Sequence, residues 1–524
     1  MIRARRRLAA AIAVGAAAAM ILTGCSGGGG SSGGGSGKSL VVDNSFDLKT
    51  SDPGRAFELT GSIVDKAIYE TVLTFNGSDV TKPQPDIMSY VESNDDKTLT
   101  LTMHGKHYFS NGDPVTVDDV VFSLKRVQAI AGNPSFLLDG VTVTKKSDTQ
   151  VVLTSATPNP ALPFILPNPS LGILNSKVLK QHGGTDTKSD NAEAFLNKES
   201  QGSGPYMLSS YNVNTKVVFK PNPHYVGTKP AYSTVVLENV AGPTQKINVQ
   251  AGASQVALDL NATQVQGLDG GKTKVIKGTS PYVMYLWFNQ NSAIGAGVTN
   301  NQDFLTAIRK SIDYSKILQL SGSGSTQPGG LVPSMFKGSI KPDSTNSYDL
   351  SAAKAALAKS GYNGQTVKFS YPNDITVDGL QFETLAQALQ SQWQEAGIKV
   401  TLAPGPVATV LDSYRNGTLQ SGIMYWGPDF PDPSDYLVFS PGQSLGLRAG
   451  WKAGADATVT DAANAAASAS GAARVPAFES WQKAMNATGP FVPLVQPGQY
   501  VVTANTITSV PLNPVWTVDL AAIK

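Results

Sequence analysis

The chain has 524 residues, 41% of them hydrophobic and 15% charged, with a formal net charge of +2. That length exceeds one ordinary core and implies two or three domains, and the balance is that of a globular chain, not a disordered one. The near-neutral charge argues against a nucleic-acid-binding surface, and one cysteine with four histidines excludes a disulfide framework, cysteine-rich zinc sites and most histidine metal sites.

The first 24 residues read as a targeting segment. Arg3, Arg5, Arg6 and Arg7 form a positive n-region, and Leu8 to Leu22 an alanine-rich apolar stretch too short for a confident membrane span. Leu22-Thr23-Gly24-Cys25 looks like a bacterial lipobox, in which the cysteine is lipidated and becomes the mature N-terminus. The chain's only cysteine stands at that place. Residues 25–38, nearly all Gly and Ser, are expected to be a flexible tether. Two acyl chains, at about 0.8 kcal/mol per buried methylene, suffice for a stable anchor. Removing the segment deletes those arginines and no acid, so the remaining body carries no polybasic membrane patch.

Strands and helices then alternate. Ser39 to Val42 and Thr98 to Met103 read as strands. Asn111-Gly112-Asp113-Pro114 is turn chemistry, and Thr116 caps a helix carrying Val117, Val120, Val121, Leu124 and Val127 at helical spacing. Thr142 to Val152 suggests two short strands around Lys146-Ser147-Asp148. Thr157 to Asn168, with four prolines, reads as a loop. Val217 to Lys220 and Val235 to Glu238 are expected strands, and the apolar run Tyr282 to Asn289 a buried one. Helices are expected around Phe304 to Ile312, over Ser351 to Ser360, and over Glu383 to Ala396, where Gly397 ends the last before a strand at Ile398 to Leu402. Another surrounds Phe478, Trp481 and Met485. The fold class is α/β, without internal repeats.

Several motifs invite a catalytic reading and fail it. Gly37-Lys38-Ser39 lacks the P-loop's earlier glycine, because Ser32 stands there, and a tether precedes it where a strand is needed. Ser351-Ala352-Ala353-Lys354 has the Ser-x-x-Lys spacing, but Ser189-Asp190-Asn191 precedes it and no Lys-Thr-Gly follows. His104 and His107 have no adjacent ligand cluster. With no ordered nucleophile–base set, no enzyme, no cofactor and no metal site are expected.

Eight segments in order resemble the extracellular solute-binding protein family 5, the peptide- and nickel-type binding proteins of ABC importers. They are Asp52-Pro53; Ile68-Tyr69-Glu70; the stretch from Asp96 through Tyr108-Phe109-Ser110-Asn111-Gly112 to Thr116 and Asp119; Gly202-Ser203-Gly204-Pro205-Tyr206; Asn222-Pro223-His224-Tyr225; Phe304 to Asp313; Tyr348 to Lys354 with Gly361-Tyr362; and Tyr425 to Pro433. Glu383 to Ile398 resembles a further family helix. The resemblance implies a periplasmic-binding-protein-like type II fold: two α/β lobes with a hinge and an extra subdomain in the first lobe. The expected divisions are residues 39–72 with 195–278 and 501–524 for the first lobe, 73–194 for the subdomain and 279–500 for the second lobe.

The resemblance further implies a lipid-anchored binding protein, a monomer at the extracytoplasmic face of the cell membrane, that closes on peptides and delivers them to permease subunits with their ATPases. The alternative is the same fold binding a nickel chelate, oligosaccharide, opine or haem. Asp429 matches the position that pairs with the ligand amine in peptide binders. Tyr425, Trp426 and Gly427 are expected to line the same wall, and Ser45 and Phe46 to supply the opposing edge. Arg415-Asn416-Gly417-Thr418-Leu419-Gln420 departs from the family pattern by losing an aromatic residue and an acid.

Overall fold

The computed structural model describes Lys38 to Lys524; the expected signal segment, Cys25 and nearly all of the tether lie outside the described residues. Three principal sheets organise the chain. The seven-stranded sheet runs in the order Thr273–Thr279, Gly498–Ala504, Val256–Ala257, Ser39–Asn44, Thr234–Asn239, Lys216–Pro221, Tyr206–Asn212. Ser39–Asn44 lies at its centre, parallel to both neighbours, with Leu40 and Val42 wholly buried. The five-stranded sheet runs Lys399–Gly405, Thr366–Pro372, Ser421–Trp426, Val283–Phe288, Phe491–Val495. All six residues of Val283–Phe288 are buried, as its unbroken apolar run requires of a strand covered on both faces.

A four-stranded antiparallel sheet, Met88–Glu92, Thr98–Met103, Gln150–Ser155 and Val141–Ser147, forms the subdomain with the helix Val117–Ile130. The Thr116 side chain caps that helix and Asp119 caps it back, a reciprocal box worth about 1 kcal/mol. At the other end of the molecule, the helix Phe382–Ala396 buries Leu385, Leu389 and Trp393 on the five-stranded sheet. It stops at Gly397, whose φ of +96° suits glycine. Thr157 to Asn168 differs from the expected plain loop: Leu162–Ile165 makes one helical turn, because Pro163 falls in its first turn, where no amide partner is needed.

The chain passes between the two larger sheets twice. Thr279 leads through Ser280-Pro281-Tyr282 to Val283, and Val495 through Gln496-Pro497 to Gly498. The two connections are cross-linked. Ser280 N–H donates to the Pro497 carbonyl at 2.9 Å, and Gln496 Nε2 to the Ser280 carbonyl at 3.0 Å. Across the space between the sheets the lobes touch. A side chain at Gly379 would collide with Asn261 and one at Gly322 with Ala262. Among the described residues no helix is long and apolar enough to cross a membrane.

Candidate functional site

A cavity of about 960 Å³ lies between the two sheets and takes walls from both. Its second-lobe wall begins where Ser421–Trp426 leaves the sheet beside Val283–Phe288. Pro428 and Pro431 then interrupt regular structure, so the chain runs along the cavity wall as an irregular segment to Asp429 and on to the turn at Pro433–Phe439. Tyr425, Trp426, Gly427 and Asp429 all line the cavity. Gly427 has a steric reason: a Cβ there would stand 2.0 Å from Tyr282 Cε1. The Tyr282 ring meets Tyr425 edge-on at 5.6 Å, and Trp426 meets Phe439 edge-on at 5.9 Å.

Asp429 is tied into the segment by its backbone. Its N–H donates to Asp435 Oδ2 at 3.0 Å, and its carbonyl accepts from Asn168 Nδ2 at 3.0 Å, a bond that reaches the subdomain. Burial raises both carboxyl pKa values, and the two acids lie close enough to share a proton. No lysine or arginine eases either one. Asp432, three residues on, is different. It caps the turn Pro433–Phe439 through Ser434 N–H and pairs with Arg474, so its charge is spent on structure.

On the first-lobe wall, Ser45 lines the cavity, but its N–H already donates to Asp259 Oδ2 at 2.6 Å. Phe46 departs from the expected edge. Its N–H donates to Asn239 Oδ1 at 3.0 Å, and its ring packs on the first lobe's core instead of lining the cavity. The backbone here therefore has no amide to spare for a ligand. Arg415 lines the cavity with Arg448, whose guanidinium lies 5.7 Å from the Tyr414 ring centre. The walls missed by sequence reading are Tyr282, Asp378 and Arg448, together with Asp47, Glu58 and Asp259. The His107 ring is occupied elsewhere: it bonds Glu70 at 3.0 Å and the His104 carbonyl at 3.0 Å.

A two-lobed body around a large, mixed polar and aromatic cavity is suited to enclosing a solute. Comparison with known proteins agrees. The model of the bacterial extracellular solute-binding proteins, family 5 (middle region), matches residues 82–444. The chain belongs to that family. Among relatives, this solute-binding protein is 28% identical over 411 residues to the probable D,D-dipeptide-binding periplasmic protein DdpA of Escherichia coli, covering 76% of this chain and 77% of that one. It is 25% identical over 395 residues to a dipeptide-binding protein of Lactococcus lactis, covering 67% and 70%. Its fold is similar to the ABC transporter substrate-binding protein CtaP of Listeria monocytogenes, with a TM-score of 0.81 at 17% identity, covering 93% of this chain and 99% of that one.

Proposed function

We propose that this solute-binding protein is the lipid-anchored, extracytoplasmic peptide-binding component of an ABC importer. It encloses a peptide between its lobes as a monomer and passes it to permease subunits with their ATPases. The observation that carries the reading is Asp429, a largely enclosed carboxylate in the cavity wall with no cation of its own. Such a group is costly alone and is compensated by a ligand's α-ammonium. Arg415 and Arg448 supply positive charge elsewhere in the cavity for a ligand carboxylate. The dipeptide-binding relatives support the same ligand class. Cys25 would hold the body at the membrane through its lipid, and the Gly/Ser stretch would set the reach.

Calorimetry with short peptides, nickel–histidine and cello-oligosaccharides tests the ligand class. Peptides alone should bind; binding of only the metal chelate or the sugar would overturn the reading. Asp429→Asn should weaken free peptides by about 30-fold or more and N-acetylated peptides hardly at all, since losing one partner of a desolvated pair costs about 2–5 kcal/mol. Equal loss for both would make Asp429 structural. Cys25→Ser should move the chain from the membrane fraction to the soluble one, still folded.

A further inference from the structure

Five carboxylates line the cavity: Asp47, Glu58, Asp259, Asp378 and Asp429. Three of them already have protein partners. Asp47 accepts from Leu59 N–H at 3.2 Å and Thr60 N–H at 2.9 Å, at the start of a helix. Glu58 pairs with Lys49 at 2.6 Å. Asp259 Oδ2 accepts from Asn44 Nδ2, Ser45 N–H and Gln245 Nε2. Asp429 is the proposed amine anchor. Asp378 remains: the Ser280 hydroxyl acts on its carboxylate but no cation does, and its Oδ2 is shut away from solvent without any hydrogen-bond partner.

Asp378 and Gly379 form the two-residue turn between Thr376–Val377 and Leu380–Gln381, with φ values of +47° and +76°. Asp-Gly is what such a turn favours, so the turn explains the residue type. It does not explain the burial, because hairpin tips ordinarily face water. Here the tip is pressed against the first lobe, with Gly379 seated on Asn261. Asp378 is thus a half-buried second-lobe carboxylate at the lobe interface, lining the cavity with one oxygen shut away from solvent. Burial raises its pKa to about 6, with Ser280 working against the rise and Asp259 adding to it, and no lysine or arginine acts on it. At neutral pH it is mostly ionised, so shutting the lobes over it without a counter-charge is unfavourable. The neighbouring wall is suited to a cation. Asp378 and Asp429 both act electrostatically on Tyr282, whose ring stands edge-on to Tyr425.

We infer that Asp378 is a second cation anchor, so that the preferred ligands are peptides carrying a lysine or arginine side chain as well as the free amine. This rests on the peptide reading above and narrows it. The basic side chain supplies the charge that closure over Asp378 requires. The preference therefore arises in the closed state, where both lobes surround the group.

The test uses the full chain and a trialanine set in which each position in turn carries lysine or its uncharged analogue norleucine, measured by calorimetry at neutral pH. At least one lysine peptide should bind about tenfold or more tightly than its norleucine counterpart, the scale of one desolvated charge pair. Asp378→Asn should reduce that ratio to about twofold or less while norleucine peptides keep or improve their affinity. If the lysine and norleucine sets bind alike to the unaltered chain, the inference fails and the peptide reading stands. If Asp378→Asn retains the lysine preference, Asp378 is not the anchor. If no member of the set binds, the peptide reading and this inference fall together. The first comparison needs no variant, so it does not depend on how Asp378→Asn folds.

Discussion

Two regions of this molecule bury acidic side chains, and they treat them in opposite ways. Between the first lobe and the subdomain, Arg126 is wholly buried and forms paired hydrogen bonds to Asp52 at 2.7 Å and 2.7 Å, and to Asp190 at 2.8 Å and 2.7 Å. Arg55 adds ion pairs to Asp52 at 3.2 Å and Asp190 at 3.0 Å. In the cavity, Asp378 and Asp429 have no such cation. The first arrangement is complete without a ligand and fixes how two parts of the chain meet. The second is incomplete, which suits a site that must prefer its ligand to emptiness.

Breaking the complete side should have the largest effect. Arg126→Met leaves two buried carboxylates with only the partly exposed Arg55 beside them, and unfolding in urea should show a loss of about 3 kcal/mol. The same measurement on ligand-free Asp429→Asn should show no loss, because that change removes an uncompensated charge. A loss below about 1 kcal/mol for Arg126→Met would erase the contrast.

The cavity side can be broken by shape instead of charge. Gly427→Ala drives a methyl group into the Tyr282 ring. Overpacking of this kind costs about 1–3 kcal/mol of stability, which should lower the melting temperature, and moving Tyr282 out of place in the cavity wall should lower peptide affinity as well.

Acidity separates the two regions by sign. Burial raises the Asp378 and Asp429 pKa values to about 6, above the ordinary 3.8. The folded state then holds more protons than the unfolded one between those limits. Ligand-free stability should therefore decline, by about 2 kcal/mol for each group, as pH rises from about 4 to about 6. Binding of cationic peptides should strengthen over the same interval. Asp190 runs the other way. Burial opposes its charge, yet the Arg126 hydrogen bonds and charge hold its pKa below 3.8. Its contribution is present above that value and is lost as pH falls through the lowered one. Urea titrations and calorimetry at stepped pH would read both trends, and a ligand affinity flat across pH 6 would contradict the cavity assignment.

The smallest effect on binding belongs to Asp432. Both it and its partner Arg474 are largely buried, so Asp432→Asn should cost about 1–3 kcal/mol in stability while leaving peptide affinity within about twofold.

Much of this arrangement was legible in the chain and some was not. The helix at Val117–Ile130 was readable from a capping residue followed by regular apolar spacing, and Val283–Phe288 from an unbroken apolar run. The strand Asp79–Pro85 was not, since Pro83 and Pro85 argue against a strand unless it lies at an edge, as it does in its two-stranded ribbon. The helix Gly471–Thr488 was expected around Phe478, Trp481 and Met485, but not its first turn, which lies before Pro476. In the cavity, Tyr425 to Asp429 stood out through the resemblance of Tyr425 to Pro433 to the family's segment. Asp378 did not, because Asp-Gly reads as an exposed hairpin tip. What buries it is Asn261, more than a hundred positions earlier, and only the docking of one lobe on the other brings the two together. Phe46 was misplaced for a related reason: local pattern shows that a strand ends there, but not that Asn239 and Asp259 claim the amides beyond it.

The pair of cross-linked passages between the sheets has a mechanical meaning. A single strap would let the lobes twist as well as bend. Two straps side by side, joined by hydrogen bonds and each stiffened by a proline, resist twisting and leave bending as the soft motion. On the proposed function, opening and shutting would follow one track, and different ligands would stop the lobes at much the same end point. Whatever reads the outside of the shut molecule would meet one outline, whichever cargo is within.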